Sequence, residues 1–275
     1  MAGARHITRF ESVDGLTVAT LPANLGEYES VQELRNALAD AVGMDYAVDL
    51  HGTGKAPLAI GQERMRALLT AASDTALDTA ADGLAAAIYA IGRGKLWRTA
   101  ADGSEQWCWA RAAAIPRPVV TYQSRVSGAF ICEFRRLSDW YAETETIETF
   151  ALTGSPQTIA ITNAGNTDAR AVTFLLEADA ASGFAAPSIA HPLTGESWSS
   201  SRTATNGNHA LRVNTGTYRV ERTTDNGANW SDDYAAFSTG AVQVGFMRLL
   251  PGAQSLTVTG CPDSTLTISF YAPFR

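Results

Sequence analysis

Hydrophobic positions keep a helical period over one long stretch of the chain. Across residues 74–91, Leu77, Leu84, Ile88 and Ile91 fall on one stripe, which predicts an amphipathic helix. Asp74 and Asp78 stand in its first turns, where the helix dipole favours carboxylates, and Gly92 or Gly94 supplies the stop. Gly83 costs such a helix about 1 kcal/mol, and the alanines around it predict close packing against a neighbour. The apolar face is expected to pack on strands containing Trp107, Trp109, Ile131 and Phe134. A second helix is expected over 30–41. There Ser30 and Glu33 have capping-box spacing, Val31, Leu34 and Leu38 share a stripe, and Gly43 follows.

Elsewhere the pattern is that of strands. Residues 95–99 and 106–113 flank Asp102-Gly103, a turn dipeptide, and predict a hairpin. Residues 119–123 and 129–135 predict a further antiparallel pair. The acidic alternation Glu143-Thr-Glu-Thr-Ile-Glu148 reads as a boundary strand. From about residue 158 to the end, short apolar runs alternate with Gly, Asn, Pro and Asp clusters, as in a β-sandwich. Residues 194–208, rich in Ser, Thr, Asn and Gly, read as one long surface loop. The expected fold is mainly β with minor α, in two domains, 1–148 and 149–275, a division that suits a chain of 275 residues.

Composition narrows the function. With 45% apolar and 18% charged residues, the chain can build real cores and is not a disordered polymer. No apolar run approaches the roughly 18 residues of a membrane span. The opening Met-Ala-Gly-Ala-Arg-His leads into a strand pattern, so no signal peptide is expected, and the protein is read as soluble and made in the cytoplasm. Lys and Arg number 21 against 28 Asp and Glu, a net charge of −7, and no basic cluster appears. That balance argues against tight sequence-specific nucleic-acid binding. Cys108, Cys132 and Cys261 are odd in number and widely spaced inside apolar strand-like runs. They suit neither a disulfide framework nor a zinc site, and are read as buried, reduced and structural.

Candidate chemistry is sparse. Asp49-Leu-His51-Gly-Thr-Gly54-Lys55-Ala56 approaches a phosphate loop, but Asp49 and Ala56 stand where that loop needs Gly and Ser or Thr. It reads as a glycine-rich loop. His6, His51, His191 and His209 lack carboxylate or cysteine partners at ligand spacing, and no Gly-x-Ser-x-Gly elbow occurs. No enzyme, cofactor or metal site is expected. The run from Thr223 to Ser231 resembles an Asp-box hairpin. Asp225 would accept backbone N–H bonds, Gly227 would take positive φ, and Trp230 would cap the hairpin's base. Trp198 and Trp230 are placed in loops of the second domain, where an aromatic platform could meet a sugar. The His-x-Asn-x-Arg and Trp-x-x-Glu-x-Arg runs of a galectin site are absent, because His209-Ala-Leu-Arg212-Val-Asn214 scrambles the first and nothing supplies the second.

Several short motifs recur in a recognisable order. The first half carries Gly54-Lys-Ala-Pro-Leu-Ala-Ile-Gly61, Asp82-Gly-Leu84, Gly92-Arg-Gly-Lys-Leu-Trp97, Asp102-Gly-Ser and Trp107-Cys-Trp-Ala-Arg111. The second carries Ile161-Thr-Asn163-Ala-Gly165-Asn166, Thr194-Gly-Glu196 and Leu249-Leu-Pro-Gly252 before a strand pair ending in Phe270-Tyr271. In this order they resemble the distal tail proteins of long-tailed (siphovirus) bacteriophages. The resemblance implies an N-terminal tail-tube-like β-sandwich or split barrel with a packed helix, and a C-terminal galectin-like β-sandwich. It implies a virion protein of the tail tip, assembled in the host cytoplasm. Its partners would be itself in a ring of six, the tail-tube protein, the tip hub, and receptor-binding or fibre proteins, with DNA passing through the lumen and no membrane contact. The 30–41 helix has no counterpart in the family pattern.

Six copies at −7 each total −42, and an acidic lumen would repel phosphates and let DNA slide. The loop around Asp45, Asp49 and His51 is expected to face that lumen or a neighbouring subunit. Two rival readings are a carbohydrate-binding adhesin using Trp198 and Trp230, and another ring-forming tail subunit such as a tube or terminator protein.

Overall fold

The computed structural model describes residues 6–22, 27–31, 38–40, 47–49, 61–114, 119–121, 124–204, 206–240 and 246–275. The chain forms two compact units, divided between Trp140 and Tyr141.

The first unit begins with β1 (His6–Ser12), β2 (Val18–Thr20), β3 (Glu27–Val31), β4 (Leu38–Asp40), β5 (Ala47–Asp49) and β6 (Gln62–Thr70). Then come α1 (Asp74–Ile91), β7 (Arg93–Thr99), β8 (Glu105–Ala114), β9 (Val119–Thr121) and β10 (Ser124–Arg136). The main sheet runs β2-β1-β7-β8-β10-β6-β3, antiparallel throughout, with β9 added to β10 and β4 paired with β5. Helix α1 occupies the expected residues. The Ser73 Oγ accepts from the Ala76 N–H at 3.2 Å, and Gly92 ends the helix at φ 61°, where a Cβ would be strained.

Helix α1 packs against β1 and β2 near one end of the sheet order and against β6 and β10 near the other, so the sheet curls around it. Phe10 of β1 and Phe134 of β10, two strands apart from being neighbours, bring their ring centroids to 5.1 Å. Leu77, Ile88 and Ile91 are buried with Ile7, Phe10, Met65, Leu96, Cys108 and Phe134, whereas Leu84 is only half-buried. Strand alternation corrects part of the expected packing. Phe134 points inward, but Trp107, Trp109 and Ile131 belong to the opposite face of the sheet.

The expected helix over 30–41 is not formed. Ser30 and Val31 lie in β3, which pairs with β6, and Leu38–Asp40 is β4, paired with β5; residues 32–37 fall outside the described residues. Glu27–Val31 pairs along its whole length with β6, and a partner strand thirty-odd residues away outweighs a local capping pattern.

The second unit opens with the rest of β11 (Trp140–Leu152), then β12 (Gln157–Asn163), β13 (Val172–Ala185), β14 (Ser188–Ala190), β15 (Ser197–Ser200) and β16 (Thr203–Ala204). It continues with β17 (Ala210–Asn214), β18 (Arg219–Thr223), β19 (Ser231–Asp232), β20 (Phe237–Thr239), β21 (Gly252–Thr259) and β22 (Asp263–Phe274). One sheet orders β19-β18-β17-β13-β22-β11, the other β12-β21-β14-β15-β20. Their inner faces bury one core, with Ile159, Ile161, Leu256 and Val258 from the second sheet facing Leu176, Val213, Val220, Leu266 and Ile268 from the first. Alternate residues of β22 are buried along almost its whole length, the period expected of a sandwich strand. The fold is thus mainly β with one α-helix among the described residues, and the second unit is a two-sheet β-sandwich. Residues 194–208 are not a single loop, because β15 and β16 lie within them.

Candidate functional site

In the second unit the Asp-box-like run closes the β18–β19 hairpin, with Arg222 opposite Ser231. The Thr223 hydroxyl donates to Asp225 Oδ1 at 2.6 Å and accepts from the Gly227 N–H at 3.1 Å. Asp225 accepts from the Asn229 N–H at 2.9 Å and from its side-chain amide at 2.7 Å. These bonds, that from Thr223 foremost, hold the Asp225 carboxyl down to about 2. Gly227 has φ 84°, as expected, and Asn226 has φ 63°. The carboxylate is consumed by its own turn. At Trp230 the Arg212 guanidinium lies over the ring at 4.1 Å, held by Glu221 through bonds of 3.0 and 2.8 Å.

Trp198 is not in a loop. It stands in β15, 1% exposed, with its ring 5.9 Å from Phe174 across the sandwich. A side chain so enclosed fills the core and offers no face to a sugar. The aromatic surface of this unit lies elsewhere. From Trp198 a run of rings leads outward through Phe237 at 5.8 Å and Phe246 stacked on Phe237 at 5.0 Å, to Tyr218 and Tyr234. Tyr218 is 61% exposed and Tyr234 51%. Four segments far apart in sequence build this patch, so spacing gave no sign of it.

The second-half motifs meet in space. Asn163, wholly buried, donates to the carbonyls of Thr167 and Leu249. Glu196 accepts from the Arg248 backbone at 3.2 Å and from its guanidinium at 3.1 Å, and Asp168 takes the other side of that guanidinium at 2.8 Å. His191 is buried beside them. The Thr194 N–H reaches its Nδ1 at 3.4 Å, so Nε2 carries the proton and donates to Gln254 Oε1 at 2.5 Å. Gln254 in turn grips Leu250 through both its amide atoms. These polar side chains are occupied in fixing turns, as a structural site requires.

In the first unit, the face of the sheet turned away from α1 is cationic and aromatic. Arg9 lies 4.0 Å from the Trp97 ring, Lys95 4.8 Å from Trp107, and Arg93 5.0 Å from Trp109. Trp107 and Trp109, two apart on β8, meet edge to face at 5.5 Å. Arg9 also pairs with Glu105 at 3.1 Å, and Arg64 with Glu133 at 3.3 Å. On the inner face, Arg98 stacks on Trp140 at 4.0 Å and donates to Gln106.

Asp45 and His51 lie outside the described residues; Asp49 closes β5, paired with Leu38, and its side chain lies outside them too. Cys108 and Cys132 are buried in β8 and β10, but Cys261 occupies the turn between β21 and β22, not a strand. Burial pushes the thiols of Cys132 and Cys261 up to about 12 and that of Cys108 well above its usual range, where the Glu63 charge adds to the effect. Such thiols are poor nucleophiles. Among the described residues no group of three or more His, Cys, Asp and Glu converges as a metal site, and no helix is long and apolar enough to cross a membrane.

No protein-family profile matches the chain, and no curated protein matches it by sequence. Among solved structures, it is similar to the Dit (gp 19.1) protein of phage SPP1, described as a paradigm of the hub adsorption apparatus in phages infecting Gram-positive hosts. The two share 12% identity over 98% of this chain and 99% of that one, with a TM-score of 0.59. A chain of the phage p2 baseplate in its activated conformation aligns over 99% of this chain and 100% of its own, at 9% identity and a TM-score of 0.47. Through both of its units, the chain carries the fold of the SPP1 Dit protein.

Proposed function

We propose that this protein is a structural subunit of a phage tail tip. Six copies form a ring that joins the tail tube to the tip hub and lets DNA through its lumen. The observation that carries this reading is the SPP1 Dit likeness, which spans both units and nearly the whole of each chain. The division of labour follows the two units: the region 1–148 closes the ring, and the galectin-like sandwich of 149–275 projects outward toward receptor-binding or fibre proteins. The mechanism is mechanical. A lumen with an acidic balance repels phosphates and keeps DNA sliding, and the 45–51 segment is assigned to the lumen or to a neighbouring subunit. The protein works in the virion tail tip, after assembly in the host cytoplasm.

Negative-stain electron microscopy of the purified protein, with light scattering for mass, tests this. Closed six-fold rings with a central hole are the expected result; a monomer or a fibre at micromolar concentration overturns it. A second reading rests on the exposed rings of Tyr218 and Tyr234, backed by the partly buried Phe246, whose aromatic faces suit a sugar or a receptor surface. Glycan-array binding lost in Tyr218→Ala would favour it.

A further inference from the structure

On the outer face of the first unit's sheet, three arginines stand in one row across three neighbouring strands. Arg93 of β7 is the register partner of Arg111 of β8, and Arg111 is the partner of Arg135 of β10. All three are exposed. Like charges directly opposite one another weaken a sheet. The acids on this face are engaged elsewhere: Glu11 and Glu105 with Arg9, and Glu133 with Arg64. Among the described residues, no carboxylate pairs with Arg93, Arg111 or Arg135. A chain of net charge −7 thus holds an unneutralised cationic ladder at one place on its surface.

The same unit carries the complement. Helix α1 contains three aspartates and neither lysine nor arginine. Asp74, Asp78 and Asp82 recur every fourth residue and are exposed, so they line one stripe. Tyr89, on the same flank about two turns beyond Asp82, is 81% exposed. The stripe is on the helix that covers the inner face of the sheet, so the sheet's own thickness keeps it from the ladder of the same chain. Spacing matches between chains. Aspartates four apart are separated by about 6 Å along a helix axis, and ladder partners by about 5 Å across strands, a difference that flexible arginine side chains absorb.

We propose that the Asp74–Asp78–Asp82 stripe of one copy docks on the Arg93–Arg111–Arg135 ladder of the next. The occupant of the ladder is a second copy of this chain. Because donor and acceptor surfaces differ, the contact is head-to-tail, the kind that closes into rings. The inference rests on the ring-forming reading and supplies the surfaces that make the ring.

Sedimentation and light scattering of the full chain, over a range of concentration and salt, test it. The wild type assembles at low salt and less at high salt. Asp78→Lys with Asp82→Lys, or Arg111→Glu with Arg135→Glu, raises the dissociation constant about tenfold or more, without changing the melting temperature, since all four side chains are exposed. Mixing the two double variants one to one restores assembly, because each variant's helix then meets an opposite charge on the other's sheet. Wild-type rings that neither double variant weakens overturn the proposed interface and leave the ring reading standing. A wild type that stays monomeric at low salt overturns both. Retention on DNA that is lost only in the arginine variants, with assembly intact, overturns the proposal and makes the ladder a nucleic-acid surface.

Discussion

The Glu63 carboxylate lies 3.3 Å from the Arg136 guanidinium in the interior of the first unit, their side chains 0% and 4% exposed. An ion pair this enclosed gains Coulomb energy and loses hydration in similar measure, so the pair is worth far less than either charge left alone would cost. Arg136→Leu is expected to destabilise the protein by about 3–5 kcal/mol, read from denaturant unfolding. Glu63→Leu combined with Arg136→Leu should recover much of that loss, and a double variant as unstable as the single one would show the pair to be net stabilising.

The Asp225 turn gives a pH dependence. Its carboxyl sits at about 2 in the folded chain against an ordinary 3.8. A depressed value means that the charged form is favoured by folding. The stabilisation is therefore complete above the ordinary value and is lost as pH falls from about 4 toward 2. Asp225→Ala should lower the melting temperature at neutral pH and flatten its decline over that acid range. Thermal unfolding of both proteins at a series of pH values checks this, and parallel curves would contradict it.

Trp198 and Trp230 should respond oppositely to truncation. Trp198 joins the two sheets of the second unit, and Trp198→Ala is expected to cost about 3–5 kcal/mol through loss of contacts and the cavity left behind. Trp230 lies at the hairpin surface beneath Arg212, and Trp230→Ala should leave the melting temperature within a few degrees of wild type. Equal losses in the two variants would mean that Trp230 is more enclosed than its setting implies.

The assignment of ring formation to the first unit can be tested by division of the chain. Strand β11 lies beside β22 in the second unit's sheet, so the cut belongs at its start. Residues 141–275 alone should be a soluble monomer by light scattering, and 1–140 should self-associate. The reverse pattern would exchange the roles of the two units.

How legible each part was in the sequence follows from how local its cause is. Helix α1 was readable to its end residues because its stripe, first-turn acids and terminal glycine all fall within one segment. The Asp225 turn was readable because its bonds close within nine residues. Ser30 and Glu33 formed an equally local signal and misled, since the partner that makes Glu27–Val31 a strand is β6. Trp198 looked like a loop residue amid Ser and Thr, and only its neighbours in the sandwich bury it. The arginine ladder had no sequence trace at all: Arg93, Arg111 and Arg135 lie 18 and 24 residues apart, and strand register alone aligns them.

The Lys95 contact with Trp107 has a practical consequence. The chain holds two lysines, Lys55 and Lys95, and Lys95 extends over the Trp107 ring at 4.8 Å on the cationic sheet face. An amine-directed reagent therefore places a label beside an indole, on the face proposed to be covered by the next subunit. Quenching of tryptophan emission would report the labelling, and protection of Lys95 from the reagent as concentration rises would report assembly, with no substitution introduced into the chain.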